Sequence, residues 1–323
     1  MQTTRTVLEP SAWGENPARV VRFLGPGALT KGRDELPLLE VTMDTAGLPA
    51  AFDARTKWPQ CESISDIWDQ SNCGDCWAVA TVTAAADRMC IATSKESVGA
   101  ALTTTRLSVE HMVGCCSACG YGCGDGFPNY AWAWLAGKKG TPYGVVSGGG
   151  YQDYSWCSAY SLKPCNHYHS LNNTEPSCEA GIPAKTPHCP AACDAQSKYN
   201  TSFAADVRRF ASAYAVAKAP AQIMAEIQKN GPVTAGMNVY QDWLSYRSGV
   251  YELKPSSELV GGHAVKIIGW GVEDGKEYWL VSNSFGTSWG DSGYFKIARG
   301  KDTCIGGGEG TCIEDSVVAG TYK

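Results

Sequence analysis

The sequence contains no run of about 18 or more apolar residues, and no stretch of it gathers basic side chains into a stripe. The first absence gives no support to a transmembrane helix, which needs about 20 predominantly apolar residues. The second leaves nucleic-acid binding without its usual electrostatic footprint, and the net charge of -5 agrees with that. We therefore expect neither a membrane nor a nucleic acid among the partners of this chain.

A secretory signal peptide is also lacking, because the first residues, MQTTRTVLEP, are polar. Yet the chain has 15 cysteines, an odd number that fits paired cysteines plus one free thiol. Disulfide bonds need an oxidising route, so we expect secretion or delivery through the endomembrane system, with a signal peptide removed and Met1 added. The sequons at Asn172 and Asn200 agree with such a route and are predicted glycosylation sites.

The stretch QSNCGDCWAVATVTAAADRMC, residues 70–90, predicts a loop that turns into a helix. Cys76 falls at the start of this helix, where free N–H groups and the helix dipole favour a thiolate. Cys73 and Cys76 are spaced as a redox pair. The number of other cysteines favours a different interpretation, in which Cys73 forms a structural disulfide beside a lone nucleophile at Cys76.

The pattern along the chain divides it into two parts. Helices are predicted at 76–90, 107–116 and 127–137, and a long segment rich in Gly, Pro and Cys follows at 140–200. After residue 230, β-branched and aromatic runs predict strands. This order indicates an α+β fold with a helical, disulfide-rich lobe, a β-rich lobe and a cleft between them.

A nucleophilic thiol needs a base and a group that orients the base. The chain has five histidines, and the ordinary interpretation of a single histidine is a structural residue. His263 follows two glycines in GGHAVKIIGWG, and Asn283 stands in SNS. The motif NCGDCW is similar to the Cys-Gly-(Ser/Ala)-Cys-Trp element of papain-like cysteine proteases. LPAAFDARTKWPQC resembles the cathepsin B branch of that family.

The resemblance implies the papain-like two-lobed fold with a β-barrel-like lobe, and a thiolate–imidazolium pair of Cys76 and His263. Asn283 would orient the imidazole, while Gln70 would hold the oxyanion. The expected activity is peptide-bond hydrolysis by an endopeptidase acting on peptides and proteins. His263 and Asn283 stand further from Cys76 than the roughly 130–150 residues typical of papain, and the excess fits the long Cys-rich insertion.

The resemblance also implies a zymogen, with an inhibitory propeptide at residues 1–47 in the cleft and a protease domain at 48–323. Residues 165–178 resemble the occluding loop of cathepsin B, which gives dipeptidyl carboxypeptidase activity. One of His167 and His169 would bind a substrate carboxylate and another would pair with Asp69. Tyr168 separates these two histidines, which are adjacent in cathepsin B. We expect a monomer in a lysosomal or equivalent acidic compartment, or secreted.

Substrate contacts are implied for several residues around the cleft: Gly126, Asp125, Phe127, Gly262, Ala264, Trp289 and Ser316. Trp289 would pack near the His–Asn pair, although core filling is the commoner fate of a tryptophan. Ser316 stands where cathepsin B has a glutamate, so an apolar S2 pocket formed with Phe127 and Ala264 is expected.

Three positions depart from the family pattern: Asp75, Asp125 and Phe285. Asp75 replaces a small residue, and it either caps the helix or raises the pKa of Cys76. These departures leave open a catalytically weak or inactive homologue that binds peptides or a partner. A purely structural disulfide-rich module is disfavoured by the single thiol at a helix start.

The family pairing implies six disulfide bonds: 61–90, 73–123, 115–189, 116–119, 157–193 and 165–178. Cys304 and Cys312, which flank an apparent insertion, are predicted to pair with each other. Zinc binding by Cys115, Cys116, Cys119 and Cys123, or metal binding by His167 and His169, is the less favoured interpretation. We expect no metal and no cofactor.

Overall fold

The computed structural model describes residues 35–39, 47–96, 106–140, 143–169, 174–178, 184–301 and 310–322. Asn172, Cys304 and most of the predicted propeptide lie outside these ranges, as does the side chain of His169. Within these ranges, no helix combines the length and the apolar character needed to cross a membrane.

The described residues contain six α-helices: Ala54–Lys57 (α1), Cys76–Glu96 (α2), Val109–Cys115 (α3), Pro128–Leu135 (α4), Phe203–Asp206 (α5) and Pro220–Asn230 (α6). The predicted helix at 107–116 corresponds to α3, which Ser108 caps, because its hydroxyl accepts a hydrogen bond from the His111 N–H at 3.0 Å. Gly231 ends α6 at a φ of 103°, a conformation that glycine adopts without strain.

One sheet contains nine strands: Leu38–Leu39 (β1), Phe52–Asp53 (β2), Phe210–Val216 (β3), Val233–Tyr240 (β4), Val250–Tyr251 (β5), Leu259–Glu273 (β6), Lys276–Ser282 (β7), Tyr294–Ala298 (β8) and Val318–Tyr322 (β9). Its order is β1-β3-β9-β4-β6-β7-β8-β5, and β2 also pairs with β6. Strands β3 and β9, which pair with each other, were not predicted from the sequence. Their alanines and glycine lower the β propensity, so tertiary pairing decides their conformation.

Two hydrophobic cores define the two lobes. One core gathers α2, α3 and α4 around Trp77, Trp132 and Trp134. The other lies against β4, β6, β7 and β8 and contains Trp243 and Trp289. The predicted α+β two-lobed fold is therefore confirmed.

Buried polar contacts fix α2 against the β lobe. The Lys266 ammonium lies 2.8 Å from a carboxylate oxygen of Asp87, and Ser63 donates to the other oxygen at 2.7 Å. Arg88 pairs with Glu226 at 2.9 Å. Breaking such a buried pair costs about 3–5 kcal/mol, so these contacts hold the middle of α2 in one position relative to β6 and α6.

Six disulfide bonds join the same pairs that the resemblance implies: Cys61–Cys90, Cys73–Cys123, Cys115–Cys189, Cys116–Cys119, Cys157–Cys193 and Cys165–Cys178. Cys312 is also disulfide-bonded. Its predicted partner Cys304 lies outside the described residues, so that pair stays a prediction.

Candidate active site

The thiol of Cys76 lies where the first turn of α2 meets β6. Cys76 is fully buried and is the free cysteine of the described part of the chain. The Ala264 N–H lies 3.5 Å from its Sγ, and the small side chains of Ala80 and Ala264 pack around it. The thiol is thus held next to the residue that follows His263.

The ionisation of Cys76 differs from the expectation drawn from its place at a helix start. Burial raises the pKa of the Cys76 thiol far above its ordinary value, and the charges of Asp125 and Asp75 raise it further. The N–H groups of Ala264 and Trp77 oppose this shift without cancelling it. Because desolvation outweighs the helix terminus here, the described state favours the neutral thiol.

The imidazole of His263 is oriented by Asn283. His263 lies on β6 opposite Met237 of β4 and is fully buried, with its Nε2 2.8 Å from Asn283 Oδ1. Asn283 Oδ1 also accepts the Ser284 N–H at 2.8 Å, which identifies that atom as the acceptor. Nε2 therefore carries the proton, and Nδ1 of the neutral ring is the basic nitrogen.

Burial also holds the His263 ring neutral. It lowers the pKa of His263 to about 4, against the opposing effect of the Asn283 hydrogen bond, and His167 adds a smaller lowering. Burial therefore disfavours both charged forms of a thiolate–imidazolium pair.

Aromatic rings pack against His263. Phe285 stacks on His263 with centroids 4.9 Å apart, and Trp243 lies 5.8 Å away at a tilt. Trp289 contacts Phe285 and Trp243, and its Nε1–H donates to the Leu244 carbonyl at 3.0 Å. Trp289 is thus a core residue behind the rings that touch His263, and Trp243 is a neighbour of His263 that the sequence analysis missed.

The side chain of Gln70 is fixed on both sides. Its Nε2 donates to the Cys73 carbonyl at 2.8 Å, and the Ser284 hydroxyl lies 2.5 Å from its Oε1. The Tyr160 hydroxyl donates to the backbone carbonyl oxygen of Gln70 at 3.0 Å. Ser284 directly follows Asn283, so its role could be suspected from the sequence, whereas nothing in the sequence links Tyr160 to Gln70.

The carboxyl group of Asp75 does not cap α2. Its Oδ2 lies 2.8 Å from the Tyr160 hydroxyl, and its Oδ1 is buried without a hydrogen-bond partner among the described residues. Burial raises the pKa of Asp75 to about 8. The helix-cap interpretation is therefore wrong, while the predicted effect of Asp75 on the pKa of Cys76 agrees with the structure.

Asp125 and Gly126 lie beside the start of α2. The Gly126 N–H donates to Asp125 Oδ1 at 2.6 Å, and Asp125 has a φ of 156°. A Cβ atom on Gly126 would lie 2.5 Å from the Trp77 indole. Only glycine fits at position 126, and its N–H is occupied by the carboxylate of the preceding residue.

The loop closed by Cys165–Cys178 reaches the same site. His167 is fully buried, and its Nε2 lies 3.0 Å from Asp69 Oδ1. Its ring also stacks on Phe285 with centroids 4.6 Å apart. The structure thus brings His167 close to His263, with Phe285 in contact with both rings.

The remaining predicted substrate residues lie on β6, beside β4 and at the start of α4. Gly262 is buried on β6 opposite Asn238 of β4. Ser316 is buried, and its hydroxyl bonds to the N–H and the carbonyl of Gly236 at 2.8 and 2.9 Å. Phe127 is half-buried and packs on Tyr130.

Two groups of side chains in the described residues lie close enough together to hold a metal: His111, Cys115 and Cys189, and Cys165, His167 and Cys178. In each group both sulfurs belong to a disulfide bond. Metal binding by cysteine needs a thiolate, so neither group fits a metal ion.

Comparison with known proteins agrees with this geometry. The family model of the papain family cysteine proteases matches residues 48–318. The chain is 45% identical over 285 residues to cathepsin B-like cysteine proteinase 4 of Caenorhabditis elegans, which covers 88% of this chain and 78% of that protein. It is 43% identical over 291 residues to a gut-specific cysteine proteinase of the same organism, with coverage of 90% and 78%.

Among solved structures, procathepsin B S9 of Trypanosoma congolense is similar, with a TM-score of 0.73 and 31% identity, covering 96% of this chain and 89% of that one. The digestive procathepsin L 3 of Tenebrio molitor shares the fold, with a TM-score of 0.62, 20% identity, and coverage of 95% and 78%. The chain thus belongs to the papain family of cysteine proteases and is a cathepsin B-like member of it.

Proposed function

We propose that this cysteine protease hydrolyses peptide bonds with Cys76 as nucleophile and His263 as its base. Asn283 orients the imidazole, and Gln70 donates a hydrogen bond to the oxyanion. The observation that supports this most directly is the 2.8 Å contact between His263 Nε2 and Asn283 Oδ1, beside the one free thiol of the described residues.

Because Nε2 of His263 carries a proton, Nδ1 is the nitrogen that takes up and donates a proton during the reaction. Nδ1 of His263 takes the proton of Cys76, and the thiolate attacks the carbonyl carbon of the substrate. The oxyanion receives hydrogen bonds from Gln70 Nε2 and the Cys76 N–H. Nδ1–H then protonates the leaving amine, and water attacks the thioester with His263 as base, which releases the acid and restores the thiol.

Residues 1–47 act as an inhibitory propeptide of the domain at 48–323 in this proposal. Leu36 is buried, β1 pairs in parallel with β3, and Tyr130 donates to Glu35 at 3.0 Å. The family match that starts at residue 48 supports the same boundary. Neutral forms of Cys76 and His263, which burial favours, suit an enzyme held latent until its cleft opens.

The experiment is hydrolysis of a fluorogenic peptide by the full chain and by Cys76→Ser, each before and after incubation at acidic pH. We expect activity from the wild-type chain only after acid treatment, together with loss of the first 47 residues, and none from Cys76→Ser. Hydrolysis by Cys76→Ser at the wild-type rate, or no hydrolysis by the processed wild-type chain, would overturn the proposal.

An exopeptidase activity is proposed for the loop at 165–178. The contact of His167 with Asp69 supports a loop that closes one end of the cleft. His169 would then bind the C-terminal carboxylate of a substrate, and the enzyme would release dipeptides. His169→Ala should reduce dipeptide release from a peptide with a free C-terminus and leave cleavage of its amidated form unchanged, whereas equal loss for both peptides would contradict this role.

The substrate pocket proposed for the P2 side chain is formed by Phe127, Ala264 and Ser316. The Ser316 hydroxyl is occupied by the backbone of Gly236, and this supports a preference for bulky apolar P2 side chains over arginine.

Acidic endomembrane compartments, or secretion, are the proposed locations, and a monomer is the proposed form. Asn200 is exposed and can accept a glycan. We propose the same modification for Asn172.

A weakly active homologue that binds peptides is the second candidate function. The charge of Asp125 raises the pKa of Cys76, and Asp75 raises it further when it is ionised, which favours reduced reactivity. Processed protein that binds a peptide aldehyde but hydrolyses no peptide would support the second candidate over the first.

A further inference from the structure

The hydroxyl of Tyr160 lies between two oxygen atoms of the candidate active site. It is 3.0 Å from the Gln70 carbonyl oxygen and 2.8 Å from Asp75 Oδ2. Tyr160 and Asp75 are both almost completely buried. A tyrosine hydroxyl has one hydrogen, and a backbone carbonyl can only accept.

Two hydrogen bonds at this hydroxyl therefore need two hydrogen atoms. If Tyr160 donates to the Gln70 carbonyl, the hydrogen between Tyr160 and Asp75 has to come from the carboxyl group. A protonated Asp75 supplies it, donating from Oδ2 to Tyr160 Oη. Each of the two hydrogen bonds that join Asp75, Tyr160 and the Gln70 backbone carbonyl then has its own hydrogen atom.

The surroundings of Asp75 also favour the neutral acid. Its Oδ1 is buried without a side-chain partner among the described residues. Hydrogen bonds from Tyr160 and from the backbone N–H of Asp75 favour the ionised form, but the loss of hydration on burial outweighs them. The charged groups that act on Asp75 are Glu110 at the start of α3 and Asp69 ahead of Gln70. Both are acids, so they oppose a further negative charge.

We propose that Asp75 is protonated in the working enzyme and acts as a pH-sensitive positioning residue, which holds Gln70 through Tyr160 and keeps negative charge away from Cys76. This inference rests on the proposed function, because it assigns Gln70 and Cys76 their roles in peptide hydrolysis. Asp75 itself touches no reacting atom.

Ionisation of Asp75 has two consequences. The proton leaves to solvent, and the hydrogen of Tyr160 turns from the Gln70 carbonyl to the new carboxylate. A buried negative charge then stands one residue before Cys76, where it opposes both the thiolate and the oxyanion. Burial raises the pKa of Asp75 to about 8, so the change falls on the alkaline side of neutral pH.

The direct test is infrared difference spectroscopy of the full chain against its Asp75→Asn variant between pH 5 and pH 10. Asparagine can donate to Tyr160 as the protonated acid does. We expect a C=O band of a protonated carboxyl group in the wild-type chain, absent from Asp75→Asn, that disappears near pH 8. Absence of such a band at pH 5–7 would overturn the proposal, whatever the activity of the protein.

A second variant covers the case in which Asp75→Asn does not fold. The Tyr160 hydrogen bond lowers the pKa of Asp75, so Tyr160→Phe should move the loss of the band to higher pH. The matched control is Tyr251→Phe, since the Tyr251 hydroxyl also donates to an aspartate, Asp242, at 2.9 Å but lies in the β lobe. An unchanged titration of Asp75 in Tyr160→Phe would contradict the proposed hydrogen bonds that link Asp75 through Tyr160 to Gln70.

The kinetic test is the pH dependence of peptide hydrolysis by the acid-processed full chain. Between pH 7 and pH 9 the wild-type enzyme should lose kcat/KM, and Asp75→Asn should retain at least about threefold more of its own pH 7 value, since a group with a pKa near 8 is about tenfold more ionised than protonated at pH 9. Identical profiles would contradict the proposal. An enzyme with no hydrolysis at any pH would instead overturn the proposed function, and the infrared test would still decide the protonation of Asp75.

Discussion

The phenyl ring of Phe285 stacks on the imidazole of His263, with 4.9 Å between the ring centroids and 28° between the ring planes. The same phenyl ring stacks on His167 at 4.6 Å. Phe285 therefore links the loop at 165–178 to the histidine of the candidate catalytic pair, and it covers one face of the His263 ring.

Replacing Phe285 by leucine should lower kcat/KM by about threefold to tenfold, because an aromatic pair contributes roughly 0.5–1.5 kcal/mol beyond its buried area. The matched control is Phe295→Leu, since Phe295 packs on Trp243 and Trp289 in the same core without stacking on His263. Equal losses of activity in both variants, at equal thermal stability, would indicate that Phe285 only fills the core.

Gln70→Ala should reduce kcat by about 10²–10³ and change KM little, as expected for the loss of an oxyanion hydrogen bond. Steady-state kinetics of the processed enzyme checks this, with thermal melting to account for the lost contacts to Cys73 and Ser284. The control is Gln60→Ala, because the Gln60 side chain is exposed and donates a hydrogen bond to Ser94 at 3.4 Å. A rise in KM with an unchanged kcat would contradict the oxyanion role.

The bond between Asp125 and the Gly126 N–H predicts competition with the substrate. If this N–H binds the substrate backbone, Asp125→Gly should lower KM by about threefold to tenfold, which corresponds to a hydrogen bond of roughly 1 kcal/mol. Asp125→Asn keeps an acceptor but removes the charge, so it should raise kcat/KM through a lower pKa of Cys76 while KM stays unchanged.

The control for backbone effects is Asp274→Gly, because Asp274 is an exposed non-glycine residue that also has a positive φ, of 50°. A decrease in KM in this control, or none in Asp125→Gly, would count against competition at Gly126.

Ser316→Glu should increase the cleavage of Arg–Arg substrates relative to Phe–Arg substrates by about tenfold or more, because a hydrogen bond to a charged group contributes roughly 1.5–3 kcal/mol. Ser316→Ala is the control that loses the bonds to Gly236 without adding an acid. The pocket assignment fails if the wild-type enzyme cleaves both substrates equally well, or if the glutamate leaves their ratio unchanged.

The raised pKa of Asp75 predicts a pH-dependent stability. Between the ordinary pKa of an aspartate near 4 and the folded value of about 8, the unfolded chain releases this proton and the folded chain keeps it. The stabilisation that protonated Asp75 gives the folded chain is thus fully present below pH 4. It is lost as the pH rises to 8, at roughly 1.4 kcal/mol per pH unit. Asp75→Asn should therefore become more stable relative to the wild-type chain from pH 4 to pH 8, and a constant difference in the free energy of unfolding would contradict this.

Local sequence signals predicted much of the fold and the central residues of the site. The predicted helices at 76–90, 107–116 and 127–137 correspond to α2, α3 and α4, and the motif around Cys76 indicated the free thiol. Strands β3 and β9 escaped prediction because they depend on pairing with each other rather than on their own propensity.

Long-range contacts explain what the sequence did not predict about the site. Tyr160 reaches Asp75 and Gln70 across the chain, and no local pattern indicates such a contact. The pKa of Cys76 also depends on burial and on Asp125, whereas the helix start alone suggested the opposite shift.

The role of Cys76 as nucleophile is tested by labelling the full chain with an epoxide that alkylates papain-type thiolates, before and after acid treatment, with the modified residue identified by mass spectrometry. We expect Cys76 to be modified after acid treatment and not before it, because the thiol is buried and neutral in the described state. Absence of modification at Cys76 after clean removal of residues 1–47 would show that Cys76 is not the reactive nucleophile.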